Sequence, residues 1–216
     1  MLKPRYSNDT KCEVGIDEAG RGCFWGPLVA GAVIWPTEDT WTEEIRMISS
    51  EIKDSKKLSA KRRAVMYKHI REMAVGWGLG VVEPYEIDEY GMSRANRLAF
   101  TRALENTTGI LRPQRVIIDG ILKIDTDLEQ IVEPAADTVY LSVAAASILA
   151  KEYRDQLVLK ACSDEPALEE KYSIGSSKGY GTERHREGIL KHGVHEKHRQ
   201  LFLRNLLGKG TCLIVD

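Results

Sequence analysis

Short apolar runs and longer stretches of helical period alternate along this chain of 216 residues. Residues 12–17 and 28–35 are mostly apolar and predict two strands joined as a hairpin. A polar loop follows, with a short helix expected around Glu43–Ser49. Ser59 is placed to cap a helix running to about Val75, with Leu58 as its staple residue. Residues 77–82, Trp-Gly-Leu-Gly-Val-Val, predict a third strand. Ile87 to Glu105 predicts a helix whose Leu98, Ala99, Ala103 and Leu104 offer an apolar face. Arg115-Val-Ile-Ile-Asp119-Gly120 predicts a buried strand ending in an acid, and Ile131-Val132 starts a further short one. The strongest helix runs from Ser142 to about Ala161, and its Ala144-Ala145-Ala146 run implies close packing on the sheet. Such alternation predicts an α/β layer fold in one domain over residues 1–216, with residues from about 165 to 216 a basic helical appendage.

Composition narrows the role. With 43% apolar and 29% charged residues, the chain reads as a soluble globular protein. No apolar run approaches the roughly 20 residues of a membrane span. The first residues lead into no signal-like apolar segment, so the expected location is the cytosol, or the nucleus in a eukaryote. Cys12, Cys23, Cys162 and Cys212 show no C-x-x-C pair or finger spacing, so buried thiols are expected, not zinc.

Net charge is −1, but basic residues cluster. Lys53, Lys56, Lys57, Lys61, Arg62 and Arg63 face only Asp54 within 53–63, and residues 178–209 carry a similar basic surplus. These blocks suggest separate anionic and cationic faces. His185, His192, His195 and His198 have no clean ligand spacing and predict a basic, partly exposed helical face.

The chemistry concentrates in Gly15-Ile-Asp-Glu-Ala-Gly-Arg-Gly22, where Asp17 and Glu18 are expected where the first strand emerges. Neighbouring strand side chains point to opposite faces. Both acids serve one site only if the backbone bends or a metal lies at the strand end. Gly20 and Gly22 permit that bend and let backbone amides approach a ligand. A dinucleotide fingerprint is a poor match, since Gly26 comes one residue late and Pro27 follows it. Asp119 ends a strand, and Asp137 lies just before the Ala-rich helix. Asp125 and Asp127 compete for the fourth place, but their surroundings look like an exposed loop. Grouped carboxylates repel unless cations hold them, and hard oxygen ligands suit Mg²⁺ or Mn²⁺. Two such ions about 3.5–4 Å apart serve in-line phosphoryl displacement.

The Gly15–Gly22 block, Asp54-Ser-Lys-Lys-Leu58, Ile118-Asp119-Gly120, Asp137 with Ser142-Val-Ala-Ala-Ala-Ser-Ile-Leu-Ala-Lys151, and Gly179-Tyr-Gly-Thr182 together resemble ribonuclease HII. The blocks stand in that family's order and cover most of residues 12–205. The resemblance implies an RNase H-like fold with a central mixed sheet flanked by helices. It also implies divalent-metal cleavage of RNA in RNA–DNA hybrids and incision at single ribonucleotides embedded in duplex DNA. By the same resemblance, Asp17, Glu18, Asp119 and Asp137 are the metal-binding acids. Gly20, Arg21 and Gly22 form the segment whose backbone reads the ribose 2′-hydroxyl, the only local mark of RNA. Tyr180 matches the tyrosine that packs on the neighbouring sugar, although its residues alone favour a buried core role.

Lys56, Lys57 and Lys151 are candidate phosphate contacts, while Ser55 either assists or caps its loop. Cys23-Phe24-Trp25 is bulkier than the family's usual pattern at that point. The tail Thr211–Asp216 lacks a glutamine-and-aromatic peptide for a sliding clamp, so clamp recruitment is not expected, and a monomer is. Two rival readings remain: an inactive hybrid-binding module, or the catalytic subunit of an obligate complex.

Overall fold

A computed structural model describes residues 2–109 and 111–208; Cys212 and the Thr211–Asp216 tail lie outside the described residues. Five strands form one mixed sheet in the order β3-β2-β1-β4-β5. They are β1 (Glu13–Ala19), β2 (Leu28–Ile34), β3 (Gly76–Val82), β4 (Arg115–Asp119) and β5 (Glu129–Glu133). β2 runs antiparallel to β1 and β3, whereas β4 runs parallel to both β1 and β5. Helices α1 (Glu43–Glu51) and α2 (Ala60–Met73) connect β2 to β3. Between β3 and β4 come α3 (Pro84–Tyr90) and α4 (Met92–Glu105). After β5, α5 (Leu141–Asp164) leads to α6 (Ala167–Tyr172), α7 (Ile174–Ser177), α8 (Glu183–His192) and α9 (Gln200–Leu207).

Two departures from the sequence expectations have local causes. The helix expected over 87–105 is two helices, because Gly91 takes φ +75° and turns the chain between them. The first strand runs on to Ala19, so Asp17 and Glu18 lie within the β1–β2 ladder, opposite Gly31 and Ala30, and not beyond it. The Ser59 cap is present, its side chain accepting from the Arg62 amide.

Both faces of the sheet are covered. Val14, Ile16, Ala30 and Ala32 pack with Ala99, Phe100 and Ala103 of α4. On the other face Val33 packs with Ala144 to Ala146, Ile148 and Leu149 of α5. Missing side chains set the depth of this contact. A Cβ on Gly31 would lie 2.6 Å from the Ala146 carbonyl oxygen, and one on Gly15 would meet the Ser142 and Val143 backbone. On the α4 side, Gly80 rests against the Ala99 carbonyl in the same way. The C-terminal helices gather on Trp25, which packs with Leu168, Tyr172, Ile174, Ile189 and Leu203.

This contact yields a stability test. Gly31→Ala forces α5 off the sheet and is expected to cost about 1–3 kcal/mol in urea unfolding. Gly22→Ala, whose Cβ would meet nothing within 4 Å, is expected to stay within about 0.5 kcal/mol of wild type.

Candidate active site

Period-two geometry sends the paired acids to opposite faces. Asp17 turns toward α5, near the Ser147 hydroxyl, and Glu18 turns toward α4, near the Asn96 amide. Asp119 lies one residue beyond Ile118, which pairs with Ile16, and so stands beside Asp17 at the end of the parallel pair. Asp137 sits in a short 3₁₀ turn, Ala136–Thr138, directly before α5. That turn follows Ala135, held at φ +59°, a left-handed conformation that alanine seldom takes. The bend lets the Ala136 N–H donate to Asp119 Oδ1 at 2.7 Å. Asp119 and Asp137 are thereby coupled through the backbone.

Electrostatics join the four acids. Burial pushes the Asp17 carboxyl well above the usual carboxylate range, and repulsion from Glu18 and Asp119 adds to it. Burial also raises Glu18, where the Arg21 guanidinium opposes the shift. Asp119 is raised by burial against the Ala136 N–H and Lys56. Asp137 is raised by burial and by repulsion from Asp119 and Asp54, with Lys56 and Lys57 opposing. Lys56 therefore reaches the field of Glu18, Asp119 and Asp137 together.

Hard oxygen donors that are desolvated and repel one another fit a divalent cation, whose charge removes both penalties. Among the described residues, no three acids, histidines or cysteines enclose a single ion position. An ion here would need water and phosphate oxygens to complete its shell, which is how Mg²⁺ is commonly held.

The other predicted residues divide. Arg21 and Gly22 are exposed, and Gly20 (φ +88°) is buried at the end of β1. Tyr180 is 40% exposed, which overturns the core reading of its residues alone. Backbone pairing between Cys23 and Tyr180, with the Phe24 N–H donating to the Gly179 carbonyl at 2.8 Å, ties that ring to the Gly20–Gly22 loop. Lys56 and Lys57 are exposed in a 3₁₀ turn, whereas Ser55 is buried and bonded to Ser147 at 3.0 Å. Lys151 is committed to Asp155 at 2.8 Å and lies 5.7 Å from the Tyr180 ring. Arg63 of the first basic block is also spent inside, on Glu152 and Asp155. Asp125 and Asp127 are exposed on their loop. Of the thiols, Cys23 is buried, but Cys12 and Cys162 are only partly so.

The histidine expectation is corrected. His185 and His198 are fully buried and bond through their Nε2 atoms at 2.9 Å. His185 Nδ1 must donate to the Tyr180 carbonyl (2.8 Å), so its Nε2 accepts from His198. His198 Nδ1 in turn accepts from the His195 N–H. Each ring thus holds one proton. Burial lowers both, and with His185 and His195 nearby His198 is pushed down to about 3. Their spacing straddles a helix and a loop, so no single helical face could have revealed the pair. Asn96 was also missed; a buried amide on the apolar side of α4 was the available signal.

A mixed sheet with hard acids gathered at the end of two neighbouring parallel strands fits a metal-dependent phosphodiester nuclease of RNase H-like fold. Residues 14–205 match the family model described as Ribonuclease HII. The chain is 40% identical over 211 residues to a ribonuclease HII of Bacteroides thetaiotaomicron, covering 97% of each. It superimposes on the ribonuclease H2 of Pyrococcus horikoshii at a TM-score of 0.70 and 28% identity, covering 90% of this chain and 96% of that one. The ribonuclease HII of Archaeoglobus fulgidus, solved in a complex with PCNA, gives 0.68 and 29%, covering 91% and 97%. The chain belongs to the ribonuclease HII family and is a divalent-metal-dependent endoribonuclease of the RNase H type, acting on RNA–DNA hybrids.

Two outcomes follow from the site's charges. Asp17→Asn removes a buried carboxyl repelled by Glu18 and Asp119 and is expected to raise the melting temperature of the metal-free protein. Added Mg²⁺ should raise the melting temperature of wild type more than that of the variant. The histidines act with the opposite pH dependence. A folded-state pKa lowered to about 3 means the unfolded chain binds protons first, so stability falls as pH drops below about 6.5. Relative to His198→Gln, wild type is expected to lose about 2 kcal/mol more between pH 7 and pH 5, read by urea unfolding.

Proposed function

We propose that this enzyme also incises duplex DNA on the 5′ side of a single embedded ribonucleotide, leaving 3′-hydroxyl and 5′-phosphate ends. The observation that carries this reading is the Cys23–Tyr180 pairing. It sets a glycine-flanked backbone loop and an exposed aromatic ring side by side at the end of the strand bearing Asp17 and Glu18. A 2′-hydroxyl is read by hydrogen bonds at close quarters, and an aromatic ring offers a flat platform to the adjoining sugar. Neither contact needs a run of several ribonucleotides.

Asp17 and Asp119, neighbours across β1 and β4, would hold one Mg²⁺ or Mn²⁺, with Glu18 and Asp137 completing the acid set for a second. Two such ions supply activation of the attacking water and stabilisation of the leaving 3′-oxygen. The chain's own task is placement. Gly20 to Gly22 fix the sugar, Tyr180 supports its neighbour, and Lys56 and Lys57 approach the backbone phosphates. Ser55 serves this loop from inside, bonding α5 through Ser147.

The test is incision of an end-labelled DNA duplex with one ribonucleotide, using Mg²⁺, Mn²⁺ or chelator. Metal-dependent cutting at the 5′ side is expected, with a loss of at least about 10³-fold in Asp17→Asn. Cutting of hybrid but not of the single-ribonucleotide duplex would refute the reading while leaving the family activity intact.

A further inference from the structure

Two arginines lie fully buried at the heart of the loop region, Arg154 on α5 and Arg199 just before α9. Among the described residues, all six hydrogen bonds of their guanidinium groups end on backbone carbonyls, and none on an acid. Burial lowers Arg199 to about 10, so it stays charged at neutral pH. Its Nη2 is buried without any partner among the described residues. Burying a guanidinium charge with no acid bonded to it is costly. Packing alone therefore gives weak grounds for these two residues.

Their targets suggest another. Arg199 donates through Nη1 to the carbonyls of Gly20 (2.7 Å) and Arg21 (3.2 Å), and through Nε to Gly26 (2.8 Å). Arg154 holds the carbonyls of Pro27 (2.9 Å), Trp25 (3.1 Å) and Lys178 (2.9 Å). Lys178 itself is held left-handed at φ +53°, directly before Gly179 and Tyr180. The bare Cα of Gly20 rests on the Arg154 side chain, and a Cβ there would collide with its Nε.

A trans peptide points its C=O and the following N–H in opposite directions. Drawing the Gly20 and Arg21 carbonyls inward onto Arg199 therefore turns the N–H groups of Arg21 and Gly22 outward. Neither N–H donates to any group among the described residues. Gly22 faces open space.

We infer that Arg199 is a positioning residue for ribonucleotide recognition, aiming the Arg21 and Gly22 N–H groups at the 2′-hydroxyl, while Arg154 locks the same loop to the Tyr180 segment. This inference rests on the sugar-reading role proposed above. Arginine is required because its planar fork spans neighbouring carbonyls, whereas a lysine ammonium is a single point of charge.

The experiment compares binding of a single-ribonucleotide duplex and its all-DNA counterpart by fluorescence anisotropy, in an Asp119→Asn background that suppresses cleavage. Arg199→Lys keeps the charge and loses the fork. It is expected to narrow the ribonucleotide preference about tenfold while all-DNA affinity stays within about twofold. A folded variant with the parent's full preference would overturn the inference. Absence of any preference in the parent would instead sink the underlying sugar-reading role, and this inference with it. Should Arg199→Lys fail to fold, NMR of wild type decides. A rigid Arg199 Nε–H in the free protein, with Arg21 and Gly22 amide shifts on adding ribonucleotide duplex but not DNA, supports the inference. A mobile guanidinium, or amides that respond equally to both duplexes, contradicts it.

Discussion

Everything at the active site hangs on how closely α5 lies against β1 and β2. Gly15 and Gly31 remove the side chains that would hold the helix away, and Ala144 to Ala146 do the same from the helix side. Close approach fixes the register between helix and strand, so residues one and two turns further along α5 arrive at fixed places. Ser147 comes beside Asp17, Lys151 beside Tyr180, and Arg154 beneath Gly20. A single rigid contact thereby sets the acid cluster, the exposed Tyr180 ring and the loop between them.

The sheet brings a cost with that placement. Asp17, Glu18, Asp119 and Asp137 are all raised by burial, and the repulsion among them runs from strand to strand and on to the 3₁₀ turn. Folded structure elsewhere must hold these groups together against their own field. The surrounding cations help only in part. Arg63 and Lys151 are absorbed by Glu152 and Asp155, which leaves Arg21 acting on Glu18, and Lys56 and Lys57, as exposed cations whose fields reach the acids. Carboxylates in such a field suit divalent cations, because binding them would relieve a repulsion already built into the fold.

Much of this was legible from residue order. Apolar runs located the first four strands, while β5 (Glu129–Glu133) showed only through Ile131-Val132 near its end, where a strand was expected to start; the acids singled out beside buried runs are the ones the fold brings into one another's field. Helix α5 was legible for the same reason that it matters: a triple alanine run favours helix and permits close packing. What failed to show were features that depend on contacts between distant segments. The His185–His198 pair joins α8 to the segment preceding α9, and periodicity along either one alone suggested an exposed face. Tyr180 was ambiguous for a similar reason, since its exposure is set by Cys23, far away in the chain. The limit of β1 was misjudged because Asp17 and Glu18, just before its last residue Ala19, carry charges that a local reading takes for a strand end.

Three buried side chains around the loop region share one property: each holds a backbone carbonyl. His185 accepts the role of fixing the Tyr180 carbonyl, Arg154 fixes Lys178 and Trp25, and Arg199 fixes Gly20 and Arg21. That choice suits the recognition task proposed for this region. Distinguishing a ribose from a deoxyribose turns on one hydroxyl, and a long side chain on a free rotamer would meet it or miss it with little penalty either way. A backbone N–H has no rotamer, and when the carbonyl behind it is tethered its direction has nowhere to drift. Discrimination then comes from rigidity and not from the number of contacts. The same tether runs into β1, so on the proposed reading a sugar that satisfies the loop would also bring its phosphate to the acids. Recognition and chemistry would then share one frame, and the buried charge would serve to build it.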